Sequence, residues 1–593
     1  MDTKAIKSRF NKTIVLSSLT LSAAFSFTVF FFSPVDVYIS NQIEFIVGFD
    51  KIIFPMLGVS VLYTGLLMSI LVLFLLINET LFNVIKNLIF GSLCAMYLQM
   101  LFFNGQMRSL TGADIQYLKN QKVYLYVNYF LFWIITFLPL IIWGIKENKP
   151  DFKPLKKLGT KASAFVCLSV ILMQLVGSVG LIINYGLNKN SDDYSADTLS
   201  MTEALKLSSD KNVVVFLTDR LDSLWMDQEL EKYPEVNEIL EGFTFYQNNT
   251  AVYTNTFPAV AEMLTGYKYN GQMNSDYLTE AWSKHSVMDV FHDNNYRVNL
   301  LISGTTTYNS YSDIKNVADN YENIDNYYRI NYLDKNGIIP TMTKLSFMKL
   351  LPYKLKSFFS DQFKTDFAND FFIVNSDNPC FPFAVGASSD ALFYNCLKNN
   401  GIKLESDNNT FSFIHLNFAH DHHRELAELS PSYNANEPLT IELCMRGGFE
   451  ILNEYFKQMK ELGIYDTSTI IVLGDHGRPP FAVQEGADKL DEPIITGLLI
   501  KEANAEKAPL KIDSDTELSN AYFDASILEY AGIDHSEYGY SYQDIIRKDI
   551  HPERIINIYN YNDNKPYLVC LYKITGNARN FDNWQYKKIN SGE

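Results

Sequence analysis

Over the first 185 positions apolar residues run almost without interruption in five stretches, roughly 13–32, 53–77, 83–103, 123–144 and 163–184. A helix needs about 20 residues to cross the hydrocarbon core of a bilayer, so each stretch predicts a membrane span. The first stretch has no small-residue cleavage site after it and is followed by four more spans, so it reads as a retained anchor rather than a signal peptide. From residue 186 the pattern turns polar. Residues 186–210 predict a linker with an amphipathic helix lying at the membrane interface. Short, continuously apolar, β-branched runs then follow: NVVVFLTD from 212, VNLLIS from 298, FSFIHLNF from 411, TIIVLGD from 469 and ITGLLIK from 495. Runs of this kind predict buried strands of a parallel sheet. Helical patterns lie between them, including VMDVFHDNN from 287, FEILNEYFKQMKELG from 449 and DASILEYAG from 524. Strands alternating with helices predict a doubly wound α/β domain. Residues 320–400, rich in Asn, Asp, Tyr and Phe, read as an insertion of loops and short helices. The expected plan is a five-helix transmembrane bundle at 1–185, the interfacial linker at 186–210 and an α/β domain at 211–593.

Charge orients this plan. Lys4, Lys7, Arg9 and Lys12 precede the first span, and Lys146, Lys149, Lys153, Lys156, Lys157 and Lys161 lie between the fourth and fifth. The loop between the first two spans carries one lysine, Lys51, and is otherwise acidic. Basic loops stay cytoplasmic, so five spans place the C-terminal part outside the cytoplasm. The loop at 104–122 falls outside by this count although it is mildly basic. Glu44, Gln99 and Gln106 fall close to the membrane boundary, as interfacial anchors or as the rim of a lipid-headgroup cavity. The whole chain has a formal charge of −17, which excludes a phosphate-backbone partner such as nucleic acid. Its six cysteines form no CxxC pair. Cys94 and Cys167 sit in apolar runs as packing residues, and Cys380 with Cys396 forms a candidate short disulfide if that part is exported.

Ligands of open α/β sheets bind outside the carboxyl ends of the strands. There NVVVFLTD ends on Asp219, with Asp222 just after it, and TIIVLGDHG ends on Asp475 and His476. FIHLNFAHDHH carries His415, His420, His422 and His423, four of the nine histidines within nine residues. A strand-terminal aspartate alone caps the next helix as readily as it ligates, and a HDHH run alone is a solvated loop. Caps do not need histidines, however, and Asp with His at several strand ends suits a divalent metal. TNTFPAVAEMLTG (254–266) adds threonines at the start of a helix. A threonine hydroxyl is a weak nucleophile until activated, and a metal held by Asp219, Asp475 and His476 would lower its pKa.

Four segments, NVVVFLTDRLDS, TNTFPAVAEMLTG, FIHLNFAHDHH and ELGIYDTSTIIVLGDHG, resemble the alkaline phosphatase/sulfatase superfamily over about residues 210–550. The resemblance implies a sulfatase-like catalytic domain with Thr256 as nucleophile and metal contact, Thr254 being the alternative. Sulfatases convert a cysteine or serine there to formylglycine, which threonine cannot become, so sulfate-ester hydrolysis is disfavoured. Threonine and five spans are similar to the membrane-bound branch, the phosphoethanolamine transferases of lipid A and the lipoteichoic acid synthases, and imply a bacterial cell membrane. By this resemblance Asp219, where those transferases usually have Glu, and Asp475 and His476 are metal ligands. His420 contacts the substrate phosphate or protonates the leaving group. There Asp421-His422 replaces the family's Gly-Pro after His420, and His415 and His422 bind substrate. A second metal would draw on Asp222, His422 or His423. Zinc and manganese both suit such ligands. The implied reaction moves phosphoethanolamine or phosphoglycerol from a membrane phospholipid to a surface glycan or glycolipid through phospho-threonine. The alternatives are a phosphodiester hydrolase and a non-catalytic lipid-binding regulator.

Overall fold

The structure, a computed structural model, describes residues 11–41, 45, 47–104, 122–148, 160–188, 197–284, 286–304, 306–309, 311–323, 332–356, 358–359, 371–373, 389–405, 408–420, 422–478, 489–562 and 565–589. Glu44, Gln106, Cys380 and Asp421, and with Cys380 the expected disulfide, lie outside them. The chain divides into two compact units, Met1–Asn190 with Asn331–Ile373, and Ser191–Ile330 with Val374–Glu593.

The first unit holds five helices long and apolar enough to cross a membrane: α1 (Lys12–Ser40), α2 (Phe49–Ile77), α3 (Glu79–Phe102), α4 (Lys122–Asn148) and α5 (Thr160–Asn188). All five expected spans are there. Gln99 is neither anchor nor cavity rim: it is buried, and its side-chain oxygen accepts from Asn128 Nδ2 at 2.7 Å. A buried amide in an apolar bundle needs such a partner. The unit also contains the helix Lys335–Leu350, from the stretch read as a loop-rich insertion of the polar half. Its buried positions Ile338, Thr341, Met342, Leu345 and Ser346 recur at helical spacing.

The second unit is built on a seven-stranded sheet. Its strands are β1 (Asn212–Thr218), β2 (Thr244–Tyr246), β3 (Tyr296–Leu301), β4 (Asn409–Leu416), β5 (Thr469–Leu473), β6 (Leu498–Lys501) and β7 (Lys511–Asp513). Their order is β7-β2-β6-β5-β1-β4-β3. β1, β3, β4 and β5 run parallel, as expected, while β6 lies antiparallel to both β5 and β2. The sheet is therefore mixed, because a continuous apolar run marks burial on both faces without setting direction. Every residue of β1 is buried, and its side chains alternate between two cores. Val214 and Phe216 enter one core with α6 (Ser223–Lys232), α9 (Ser389–Asn400) and α10 (Ile441–Glu461). Val213, Val215 and Leu217 enter the other with α7 (Thr256–Thr265), α8 (Val287–Asp293) and α11 (Phe523–Ala531). Helices on both faces make the unit doubly wound. Residues 197–208 are not the expected interfacial helix: a single turn, Met201–Ala204, lies between strands Asp197–Leu199 and Lys206–Ser208. A separate antiparallel sheet, β8 (Arg554–Asn562), β9 (Lys565–Ile574) and β10 (Trp584–Lys588), closes the chain.

Candidate metal centre

Adjacent central strands β4, β1 and β5 place their carboxyl ends side by side. Asp219 follows β1, Asp475 and His476 follow β5, His415 is the penultimate residue of β4, and His420 lies on the turn beyond it. His415 Nε2 is 3.6 Å from Asp219 Oδ2, His476 Nε2 is 3.6 Å from Asp219 Oδ1, and His420 Nε2 is 3.9 Å from Asp219 Oδ1. One ligand atom from each of Asp219, Asp475 and His476 lies within 4.8 Å of the others. The fourth component comes from α7. Phe257 is extended (φ −90°, ψ 128°), so the regular helix starts at Pro258 and Thr256 stands off its N-terminus. Thr256 Oγ1 donates to Asp219 Oδ2 at 3.1 Å. Thr254 is buried, and its hydroxyl accepts from Asn255 Nδ2 at 3.3 Å. Gly266, the last residue of the TNTFPAVAEMLTG segment, ends α7 in the left-handed conformation at φ 70°, where a side chain would be strained.

The local chain conformation serves this convergence. Arg220 is a non-glycine residue at φ 62°, a conformation costing about 1 kcal/mol or more. It aims the Arg220 amide at Asp475 Oδ1 (3.1 Å), while its guanidinium donates to the His420 carbonyl at 3.1 Å. Gly474 permits a close passage of β5 past β1's exit: a Cβ there would lie 2.5 Å from the Leu221 carbonyl oxygen. Asn520 Nδ2 donates to the Gly474 carbonyl at 2.8 Å. The buried carboxylate of Asp390, on α9, accepts from the Asn417 amide at 2.7 Å and so pins the turn that presents His420. Burial pushes its carboxyl up to about 7. Sequence reasoning missed Arg220, Asp390 and Asn520, and only Arg220, next to a strand-terminal aspartate, carried any signal.

Burial by itself would raise Asp219, yet the neighbouring His415, His420 and His476 hold its carboxyl well below the ordinary range. Asp475 is raised by burial and by the adjacent Asp219 charge. Burial works against a charged His415, but Asp219 outweighs it and raises the imidazole. Two carboxylates this close and this buried require positive charge between them. Among the described residues, Asp219 Oδ1, Asp475 Oδ2 and both ring nitrogens of His415 are buried without a hydrogen-bond partner. His476 Nδ1 lies 2.7 Å from the Gly477 carbonyl, which only accepts, so that nitrogen carries a hydrogen and Nε2 is the ring atom that faces the carboxylates. Orphaned carboxylate oxygens and an oriented imidazole fit a divalent cation, and Asp219, Asp475 and His476 are the residues that would hold it.

The other candidates are not members of this three-ligand group. Asp222 is the N-cap of α6, its oxygens taken by the amides of Leu224 (2.8 Å) and Arg478 (3.2 Å). That is a structural task, and burial pushes its carboxyl up to about 6. His423 is the buried N-cap of the turn Arg424–Ala427, and its carbonyl accepts from Cys444 Sγ at 3.4 Å. His422 is exposed, with Glu442 among its electrostatic neighbours. The described residues show no second group of ligands at the strand ends.

No family model and no curated protein matches the chain. Solved structures similar to it include a protein of the alkaline phosphatase superfamily from Vibrio parahaemolyticus, 14% identical over 66% of this chain and 84% of that one, with a TM-score of 0.39. A lipoteichoic acid synthase from Listeria monocytogenes is 12% identical over 64% of this chain and 87% of that one, with a TM-score of 0.36. The C-terminal periplasmic domain of a phosphoethanolamine transferase from Campylobacter jejuni is 13% identical over 56% of this chain and 92% of that one, with a TM-score of 0.32. Similarity of this degree assigns no activity by itself. The functional assignment comes from what β1, β4, β5 and α7 bring to one point.

Proposed function

We propose that the chain is a metal-dependent phosphotransferase that moves phosphoethanolamine or phosphoglycerol from a membrane phospholipid to a surface glycan or glycolipid. One observation carries the reading: the Thr256 hydroxyl donates to Asp219 at the point where Asp475, His476 and His415 also converge. A zinc or manganese ion held by Asp219, Asp475 and His476 would supply Lewis acidity, lowering the pKa of a hydroxyl beside it and neutralising phosphoryl charge.

The residues act as follows in this reading. Asp219 Oδ2 accepts the Thr256 hydroxyl hydrogen, which leaves the Oγ1 lone pairs directed at an incoming phosphorus. A new bond forms from Oγ1 to phosphorus, and the bond from phosphorus to the diacylglycerol oxygen breaks. His420, on the open side of the cluster, gives the departing oxygen its proton. His415 holds Asp219 in place from within β4. An acceptor hydroxyl then gives its proton back to His420 and displaces Thr256 from phosphorus, and the Thr256 oxygen takes its hydrogen back from Asp219. The lysine distribution puts the N-terminus in the cytoplasm and, after five spans, the second unit outside it, where lipid headgroups and surface glycans are both reachable.

The test is the intact mass of full-length protein, metal-replete in detergent, after incubation with phosphatidylethanolamine or phosphatidylglycerol. Wild type should gain one headgroup phosphate and release diacylglycerol with one of these donors, and Thr256→Ala should gain nothing. No adduct and no diacylglycerol with either lipid contradicts the reading. Diacylglycerol release with free phospho-headgroup and no transfer to any added glycan would make water the acceptor.

A further inference from the structure

α7 is held from two sides. Val260, Met263 and Leu264 pack into the core against the sheet, while Ala259 and Ala261 belong to a separate cluster with Tyr253, Tyr269, Tyr277 and the half-buried Phe257. The rings of that cluster meet edge to face. Phe257 contacts Tyr269 with centroids 5.2 Å apart at 79°, and Tyr277 at 5.7 Å and 86°, while Tyr269 and Tyr277 lie 4.9 Å apart at 79°. Aromatic pairs favour this arrangement, so each ring limits the others' rotation.

The tyrosines are themselves fixed. The Tyr277 hydroxyl donates to the Tyr267 carbonyl at 2.7 Å, and the Tyr269 hydroxyl to the Gln272 carbonyl at 2.9 Å. Glu262, buried on α7, accepts from the Tyr253 hydroxyl (2.5 Å), the Tyr269 amide (3.1 Å) and the Lys268 ammonium (2.9 Å). Tyr253 precedes Thr256, and Lys268 and Tyr269 follow α7, so one carboxylate ties both flanks of the segment to the helix between them. β8 closes the outer side: the Tyr559 ring lies 4.9 Å from that of Tyr269, and the Asn557 amide donates to the Val252 carbonyl at 2.8 Å.

Phe257 links this framework to Thr256. The proline at 258 keeps Phe257 out of the helical region but leaves it a broad extended range. Rotation within that range would carry the Thr256 hydroxyl away from Asp219. The ring, lodged against two fixed tyrosines, holds φ −90° and ψ 128°, the conformation in which Thr256 Oγ1 reaches Asp219 Oδ2.

We propose that Phe257 is a positioning residue, whose ring, held edge-on by Tyr269 and Tyr277, aims the Thr256 hydroxyl at Asp219. The consequence for rate rests on the phosphotransferase reading, and the geometry does not. Full-length wild type, Phe257→Ala and Phe257→Tyr are compared in two measurements. Crystal structures of the metal-free proteins should keep Thr256 Oγ1 within hydrogen-bond distance of Asp219 in wild type and Phe257→Tyr, and not in Phe257→Ala. Initial rates of diacylglycerol release from phosphatidylethanolamine or phosphatidylglycerol are then taken on metal-replete protein, well below each unfolding midpoint. Phe257→Ala should lose about 100-fold in kcat with KM and metal content unchanged, because a small displacement of a nucleophile costs that much. Phe257→Tyr, which keeps the ring edges, should retain most of the rate. Phe257→Leu, which fills the space without a ring edge, replaces the alanine variant if that does not fold, and should behave as predicted for it. Thr256 still bonded to Asp219 in Phe257→Ala overturns the proposal. So does a loss that falls on KM or metal content instead of kcat, or a tyrosine variant as slow as the alanine one. A wild type that releases no diacylglycerol contradicts the phosphotransferase reading, and the crystal structures then decide the positioning claim by themselves.

Discussion

The two edges of the central sheet treat buried charge in opposite ways. At the amino edge of β5, Lys501 is buried, and burial pushes its ammonium down to about 8. Its hydrogens are fully used by the carbonyls of Tyr465 (2.8 Å), Ser468 (3.1 Å), Glu502 (3.3 Å) and Asp466 (3.4 Å). A cavity of about 180 Å³ opens there, lined in part by Lys460, Tyr465, Asp466 and Lys501, yet its buried cation already has its partners. At the carboxyl edge Asp219, Asp475 and His415 converge with buried polar atoms that have none among the described residues. A buried charge with a full set of partners is structure, and a convergent set with open positions is a site for something the chain does not itself supply.

Removing a residue from each edge separates these roles. Thr256→Ala should lower the proposed headgroup transfer by about 10³-fold or more with little change in unfolding midpoint, because only the proposed nucleophile is lost. Comparable loss of folding would break the comparison. Lys501→Met should do the reverse: it leaves several buried carbonyls without a donor and costs about 3 kcal/mol of stability, seen in the urea midpoint, while metal content is kept.

Arg220 sharpens the picture at the site itself. Arg220→Ala and Arg220→Gly both lose the bond to the His420 carbonyl and should slow transfer about tenfold, as read by initial rates. Gly alone relieves the left-handed backbone, so it should be about 1 kcal/mol more stable than Ala. Glu229 tests whether an orphaned charge is by itself enough. It is buried on α6 with both oxygens unpartnered among the described residues, and burial pushes it up from 4.5 to about 8 despite the Arg446 charge. Among the described residues it belongs to no group of three converging metal ligands, which makes it a cost rather than a site. Its folded pKa lies above its unfolded one. The folded state therefore keeps a proton that the unfolded chain releases, and stability falls as pH rises from about 4.5 to about 8. Glu229→Gln should flatten that slope and add about 1 kcal/mol at pH 8 with transfer unchanged, which pH-dependent urea melts would register.

Much of this was legible in the sequence for definite reasons. β1 and β5 are nearly continuous β-branched apolar runs, β3 and β4 are apolar runs broken by single polar residues, and the polar ends of such strands are where an open sheet binds. That exposed Asp219, His415, His420, Asp475 and His476. The reversed direction of β6 was not legible, because its fully buried pattern matches that of β1 and β5. β2 and β7, at three residues each, are too short to show a period. The helix Lys335–Leu350 looked like part of a loop-rich insertion, since only its tertiary partners reveal which unit it packs in. The capping of α6 by Asp222 and the left-handed Arg220 are matters of backbone geometry that residue type does not encode.

The central claim is that the open positions at Asp219, Asp475 and His476 take up a divalent cation. It is tested most directly by the metal content of full-length protein, measured by inductively coupled plasma mass spectrometry after equilibration with zinc or manganese and desalting. The account predicts about one ion per chain in wild type and almost none in Asp475→Asn, with wild type alone losing thermal stability on chelation. Wild type that holds no ion under these conditions, or an Asp475→Asn variant that holds as much, would contradict it.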